Sequence, residues 1–200
     1  MKTLIDHINE ALKIGKNISK FSTYSCRPAD KNELKEIIKK RIKKEGPNCD
    51  LNDIDTSFIT DMSELFSDSK FNGDISNWDV SNVTNMRWMF AQSVFNGYIS
   101  NWNVSKVTDM SNMFYLSKFN QDISRWNVSN VKEMSYLFYD SHFNQDISKW
   151  DVSKVDDMWE MFAYSSFNRD ISSWKISKDC VTYGMFNNCP IKEEYKPKRK

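Results

Sequence analysis

Two hundred residues suffice for one compact domain or one short repeat array, and 28 Lys plus Arg nearly balance 27 Asp plus Glu. A chain this neutral has no global field to steer it toward nucleic acid or an anionic bilayer. No run approaches the roughly 18 apolar residues of a membrane span, and Asp6 and Glu10 interrupt the apolar part of a start that would otherwise resemble a secretory signal.

Residues 1–22 read as an amphipathic helix with Leu4, Ile5, Ile8 and Leu12 on one face. A second helix is predicted from about Lys31 to Lys44. Asp30 and Glu33 have the spacing of a capping box before it, and Gly46-Pro47 stops it. Its apolar stripe, Leu34, Ile37, Ile38 and Ile42, suits a lid over whatever follows. Its Lys35, Lys39, Lys40, Arg41, Lys43 and Lys44 read first as a solvated face and second as an attachment to an anionic surface. Residues 1–46 are thus expected to form an N-terminal helical cap.

Residues 47–190 hold six copies of a 24-residue unit. Phe71 recurs as Phe95, Phe119, Phe143 and Phe167, and Trp78 as Trp102, Trp126, Trp150 and Trp174. Phe90 recurs as Phe114, Phe138, Phe162 and Phe186, and steps back to Phe66. The first unit is degenerate, with Ile54 in the Trp column. So is the last, where Asp179 takes the Val155 column and Thr182 the Met158 column. Worn end units are what a stack requires, because each end faces water on one side.

Within a unit, Trp78-Asp79-Val80 alternates as a short strand does, while Val83, Met86, Met89 and Phe90 have the spacing of a helical turn. Ser81 and its repeats stand where a hydroxyl caps such a turn, with Asn85, Asp109, Glu133 and Asp157 at its positive end. The expected fold is therefore an α/β repeat solenoid, one parallel strand and one helical turn per unit, whose Phe and Trp columns stack into a core. The Asn72 column (Asn96, Asn120, Asn144, Asn168) is expected to bond the neighbouring coil's backbone. Residues 191–200 read as a basic, flexible tail.

No catalytic residues, metal or cofactor are expected. His7 and His142 are far apart in register, no phosphate loop or nucleophile motif occurs, and one carboxylate per coil in the Asp74 column is too few for calcium. Cys26 with Cys49, and Cys180 with Cys189, fit two end staples in an oxidising compartment; free thiols are the alternative.

Two faces are candidates for binding a protein partner. One flanks the buried Trp column, where Asn77, Asp79, Asn101, Asn103, Arg125, Asn127, Lys149, Asp151, Ser173 and Lys175 vary from coil to coil. The other is a possible aromatic patch of Trp88, Tyr115, Tyr136, Tyr139, Trp159 and Tyr164, whose rings either face water or pack between coils. A carbohydrate-binding module and a purely structural spacer are the alternative functions.

The pattern FN-x-DIS-x-WDVS-x-VT-x-M-x-x-MF-x-x-S, with the lead-in NELKEIIKKRIKKEG, resembles the repeat of the BspA-like leucine-rich-repeat surface proteins. The resemblance implies a right-handed leucine-rich-repeat-like superhelix. It also implies a cell-surface or secreted location and a role in adhesion or in binding a host extracellular protein. It supplies no catalytic residues. The chain departs from that pattern in using Ile, Trp, Val and Met where Leu is common.

Overall fold

The computed structural model describes residues 24–198, so the helix expected over residues 1–22 lies outside the described residues. The 24-residue period becomes structure through the backbone. Met86, Trp88, Phe90 and Gln92 donate their N–H groups to the carbonyls of Asp109, Ser111, Met113 and Tyr115 in the following unit. The same four bonds, at 2.7–3.1 Å, recur at each of the five interfaces between successive units, always from residue i to residue i+23. The units therefore stack as coils, numbered one to six: residues 47–70, 71–94, 95–118, 119–142, 143–166 and 167–190. In this segment every inter-coil N–H points toward the C-terminal end and every carbonyl back toward the N-terminal end. Beside it runs a row of single-residue parallel bridges, Asp61 to Asn85, Asn85 to Asp109, and onward to Val181.

The elements expected inside each unit are not the ones formed. No extended strand forms at Trp78–Val80, and the segment from Val83 to Phe90 is a run of tight turns. Met89 N–H bonds Met86 O at 3.2 Å, and Ala91 N–H bonds Trp88 O at 3.2 Å. Trp88, third in the Met86–Met89 turn, is left-handed at φ 59°, as type II geometry requires, and so is Gln92 at φ 55°, whose equivalent Leu116 is third in the turn closed by Ser117 N–H to Phe114 O. The two columns contain eleven such non-glycine residues, from Glu64 to Asn188, and only Gly184 fills a place with the residue that tolerates it freely. Each left-handed side chain costs about 1 kcal/mol. The backbone bonds to the next coil and the burial of the adjacent Met and Phe offset that cost.

The turns are held by side chains different from those expected. Ser81 caps nothing; its N–H donates to Asp79 Oδ1 at 2.9 Å, and Arg87 N–H likewise donates to Asn85 Oδ1 at 3.0 Å. Short carboxylates and amides, not hydroxyls, tie these corners as Asx turns. Ser93 and its repeats do act through the hydroxyl, which accepts from the Phe95 N–H and its equivalents.

The core is a double ladder of phenylalanines. Rings of the Phe66–Phe186 column stack at centroid spacings of 5.5–5.9 Å. Those of the Phe71–Phe167 column stack at 6.1–6.3 Å. Within a coil pair the two columns touch at 4.1–4.6 Å. Both spacings exceed the ~4.8 Å of paired strands, as offset rather than face-to-face stacking requires. Apart from the end ring Phe186, the members of both columns are buried, each contributing about 2–3 kcal/mol before entropy is counted. The Trp column packs chiefly on Phe, at 5.8–6.5 Å, rather than on itself. Each buried indole N–H reaches back to the preceding coil, Trp102 to Ile75 O at 3.1 Å and Trp126 to Ile99 O at 3.0 Å. The Asn72 column does what its recurrence suggests: Asn72, Asn96, Asn120 and Asn144 each accept the N–H of the residue 24 positions on.

Helix α1, Lys31–Glu45, closes the N-terminal end. Asp30 Oδ1 accepts the N–H groups of Asn32 and Glu33, while Glu33 reaches back to Ala29 N–H at 2.7 Å, a capping box displaced by one residue. Leu34 and Ile38 join the same core as Leu51, Ile54 and Met62. Arg41 turns inward to Asp53 and Glu45, and Lys31 to Asp61. Lys39, Lys40, Lys43 and Lys44 of α1 are exposed. Gly73 is fixed by this junction, since a Cβ there would lie 1.9 Å from Cys49 O.

In coil six, Cys180 N–H bonds Ser177 O where the repeat has Val155 bonding Val152 O, a one-residue shift that buries Cys180 in place of the missing valine. No disulfide joins any of the four cysteines, so neither staple forms. Residues 191–198 do not stand apart as a tail. Ile191 is buried in the Phe column, Lys192 N–H continues the Asn ladder, and Tyr195 O accepts from Ile171.

Candidate partner-binding faces

The face beside the Trp column consists of alternate residues that a buried Trp forces outward. Asn77, Asp79, Asn101, Asn103, Arg125, Asn127, Lys149, Asp151, Ser173 and Lys175 are all exposed. They fall into two groups. Asp79, Asn103, Asn127 and Asp151 accept the N–H of the serine two residues on, at 2.9–3.2 Å, and serve the fold as corner ties. Hydrogen bonds from Ser153 hold the Asp151 carboxyl below the usual carboxylate range. Arg125, Lys149 and Lys175 project without such ties, which gives the C-terminal half of this face a basic character. Between coils five and six Lys149, Asp151, Ser173 and Lys175 line a shallow groove over Trp150 and Trp174.

The second face starts from the left-handed turns. A residue with φ near +60° throws its side chain outward over the neighbouring coil, and three of these positions hold Trp88, Tyr136 and Tyr164. The rings make one continuous strip. Trp88 touches Tyr115 at 5.4 Å, Tyr115 stacks on Tyr139 at 5.1 Å, and Tyr139 meets Tyr164 at 5.4 Å. A second line runs from Tyr115 through Tyr136 to Trp159 and on to Tyr183, with centroids 5.9–6.4 Å apart. Exposure grows along the strip. Trp88, Tyr115, Tyr136 and Tyr139 are half-buried, whereas Trp159 is 43%, Tyr164 52% and Tyr183 74% exposed. Burial, with the Glu160 carboxylate and Tyr115 beside it, raises the Tyr136 phenol above its ordinary value; burial raises Tyr139 similarly. Both stay neutral hydrogen-bonding groups. The two possibilities for these rings are thus both realised: they pack on one another and still present their edges to water.

Next to the strip runs the bridge row Asp109, Glu133 and Asp157. Burial, then the facing carboxylates of Asp157, Asp109 and Asp156, pushes Glu133 up. Asp109 and Asp157 meanwhile accept the N–H groups of Ser111 and Trp159.

Two overlapping segments, residues 32–142 and 94–196, match the family model described as "Mycoplasma protein of unknown function, DUF285". The chain belongs to this family. No curated protein and no solved structure matches it. In the DUF285 chain the match runs from α1 through all six coils, so helix and repeats form one family unit, and its two overlapping segments reflect the tandem repetition. No helix among the described residues is long and apolar enough to cross a membrane. Of the sequence-derived candidates, the structure brings the six aromatics into one strip and spreads the ten polar residues along a second face. Tyr183, the most exposed ring of the strip, is the residue that sequence reading missed. It lies 24 residues after Trp159, so carrying the column one coil further would have found it.

Proposed function

We propose that this DUF285 chain is a non-catalytic protein-binding scaffold of the BspA-like leucine-rich-repeat kind, a right-handed solenoid that acts at a cell surface in adhesion. The observation that supports it best is the ring strip. Seven aromatic side chains from coils two to six touch in sequence, and three of them are more than two-fifths exposed. Contiguous exposed aromatic surface on a rigid support is the composition of binding hot spots, since large rings with two torsions bury much area for little lost entropy. The exposed basic residues Arg125, Lys149 and Lys175 lie on a separate face and would contribute charge selection rather than the main contact area.

The test uses the purified chain immobilised against host extracellular matrix proteins. Replacing Trp159 and Tyr164 together by Ser abolishes retention while the melting transition is unchanged, and replacing Asn77 and Asn101 by Ala has little effect. Equal retention by the strip variant and the parent chain would refute the assignment. Retention only on a glycan array would convert it to carbohydrate binding.

A further inference from the structure

The polarity of the coil ladder has a consequence at its last member. At each of the five interfaces the N–H groups at the Trp88, Phe90 and Gln92 positions are taken up by carbonyls of the next coil. In coil six the equivalent residues are Gly184, Phe186 and Asn188, and their N–H groups donate to no carbonyl or side chain among the described residues. The adjacent amides are occupied in the turns, Asn187 N–H to Gly184 O and Cys189 N–H to Phe186 O, at 2.9 and 3.1 Å. These three N–H groups are thus held in the geometry of a ladder edge with no acceptor across them among the described residues.

Residues 191–198 cover only part of this end. They lie over the Phe167, Asn168 and Ile171 columns, then cross so that the Lys196 ammonium sits 5.6 Å above the Phe186 ring. Between them remains a depression of about 410 Å³ floored by Ile176, Met185 and Phe186 and edged by Lys196 and Pro197. The N-terminal end offers no donor edge: there the ladder ends in the carbonyls of Asp61, Ser63, Leu65 and Ser67, which accept no backbone N–H among the described residues. Residues 25 and 26 pair with coil one, as Ser25 N–H to Asp53 O and Asp55 N–H to Cys26 O, and α1 lies over the rest of it.

We propose that the C-terminal end of the stack is a docking edge for a segment of another polypeptide with the repeat's own chemistry, Met-x-x-Met-Phe, added as a partial seventh coil. Three alternate carbonyls of the segment accept from Gly184, Phe186 and Asn188, and its phenylalanine stacks on Phe186 in the depression, displacing the Lys196 ammonium from that ring face. The claim rests on continuity with the interfaces already formed. The same edge is filled five times within the chain, three times by Met-x-x-Met-Phe itself, with donor–acceptor distances of 2.7–3.1 Å, and strand-like edges of unpaired donors are the usual sites of such addition. The aligned N–H groups also leave the positive end of the ladder's dipole here, which favours a carbonyl row over a second row of donors. This inference concerns a different surface from the aromatic strip and does not depend on it.

A synthetic peptide copying residues 153–166 is the probe, because in the chain this segment fills the same edge of coil four. Residue-resolved amide exchange on the full chain should show at least tenfold slower exchange at Gly184, Phe186 and Asn188 when millimolar peptide is present. Amides of coils two to four should not change, and a scrambled peptide should have no effect. Phe186→Ser should weaken the peptide effect at least tenfold. Because that change also loosens coil six, Lys178→Ser serves as the control, altering an exposed position of the same coil while leaving peptide protection intact. Unchanged exchange at the three amides, or equal protection by the scrambled peptide, would overturn the proposal.

Discussion

The two ends of the stack solve the same problem differently. At the N-terminal end α1 buries Leu34 and Ile38 on coil one, and ion pairs from Arg27, Lys31 and Arg41 fasten the surrounding loops. At the C-terminal end residues 191–198 fold over one side of coil six, with Phe186 half-buried and three backbone donors unmatched among the described residues. Coils that share one repeat pattern therefore differ in stability with their position in the stack. A coil is as stable as the neighbours that cover it, so the gradient runs from a sealed N-terminal end to an open C-terminal one.

The largest expected effect comes from cutting the same ladder at two heights. Phe114→Ala, in mid-stack with rings on either side, should cost about 3–5 kcal/mol. Phe186→Ala, at the open end, should cost less than half as much, read from denaturant midpoints. Equal losses would remove the positional gradient.

The sealed end is fastened in part by a charged carboxylate. Burial alone would raise the Asp55 carboxyl, but hydrogen bonds from Ser57 and the Arg27 guanidinium outweigh it and hold the group below the ordinary aspartate value of 3.8. A depressed folded value means that its contribution is present above the unfolded value and fades as the pH falls through the folded one. Asp55→Asn should therefore destabilise the chain by about 1.5 kcal/mol at pH 7. The gap to the parent should close below the ordinary carboxylate range; a gap that persists there would mean the ion pair is not the cause.

The smallest effect probes the turns common to both ends. Gln92 is exposed and left-handed at φ 55°. Gln92→Gly should stabilise by roughly 0.5 kcal/mol, the left-handed strain less the greater chain entropy of glycine. Gln92→Val should destabilise by more than that. Opposite signs in thermal melts would contradict the turn assignment.

What could be read from the sequence was chiefly what repetition exposes. The period, both Phe columns and the Asn72 ladder follow from stepping through the chain by 24, the lid helix follows from its apolar stripe and Asp30 cap, and six of the seven strip aromatics were legible as exposed-ring candidates. The local backbone could not be read in the same way. Val83, Met86, Met89 and Phe90 have helical spacing because two tight turns in tandem also bring every third or fourth side chain inward. A weak signal was present. The two left-handed columns hold Asn112 and Gly184, and Asp68, Asp140 and Asn188, the residue types that adopt that conformation with least strain. The Trp indole bonds and the unmatched donors of coil six depend on which way backbone groups point, and a side-chain pattern does not carry that information.

One measurement bears most directly on a polarised ladder whose core is covered by α1 at one end and whose donors are exposed at the other: amide exchange followed residue by residue on the full chain at neutral pH. The amides of Trp88, Phe90 and Gln92, with their equivalents in coils three to five, should exchange most slowly, while those of Gly184, Phe186 and Asn188 should exchange near the rate of unprotected peptide. Uniform protection through coil six, or rapid exchange at Phe90 and Phe114, would contradict the account.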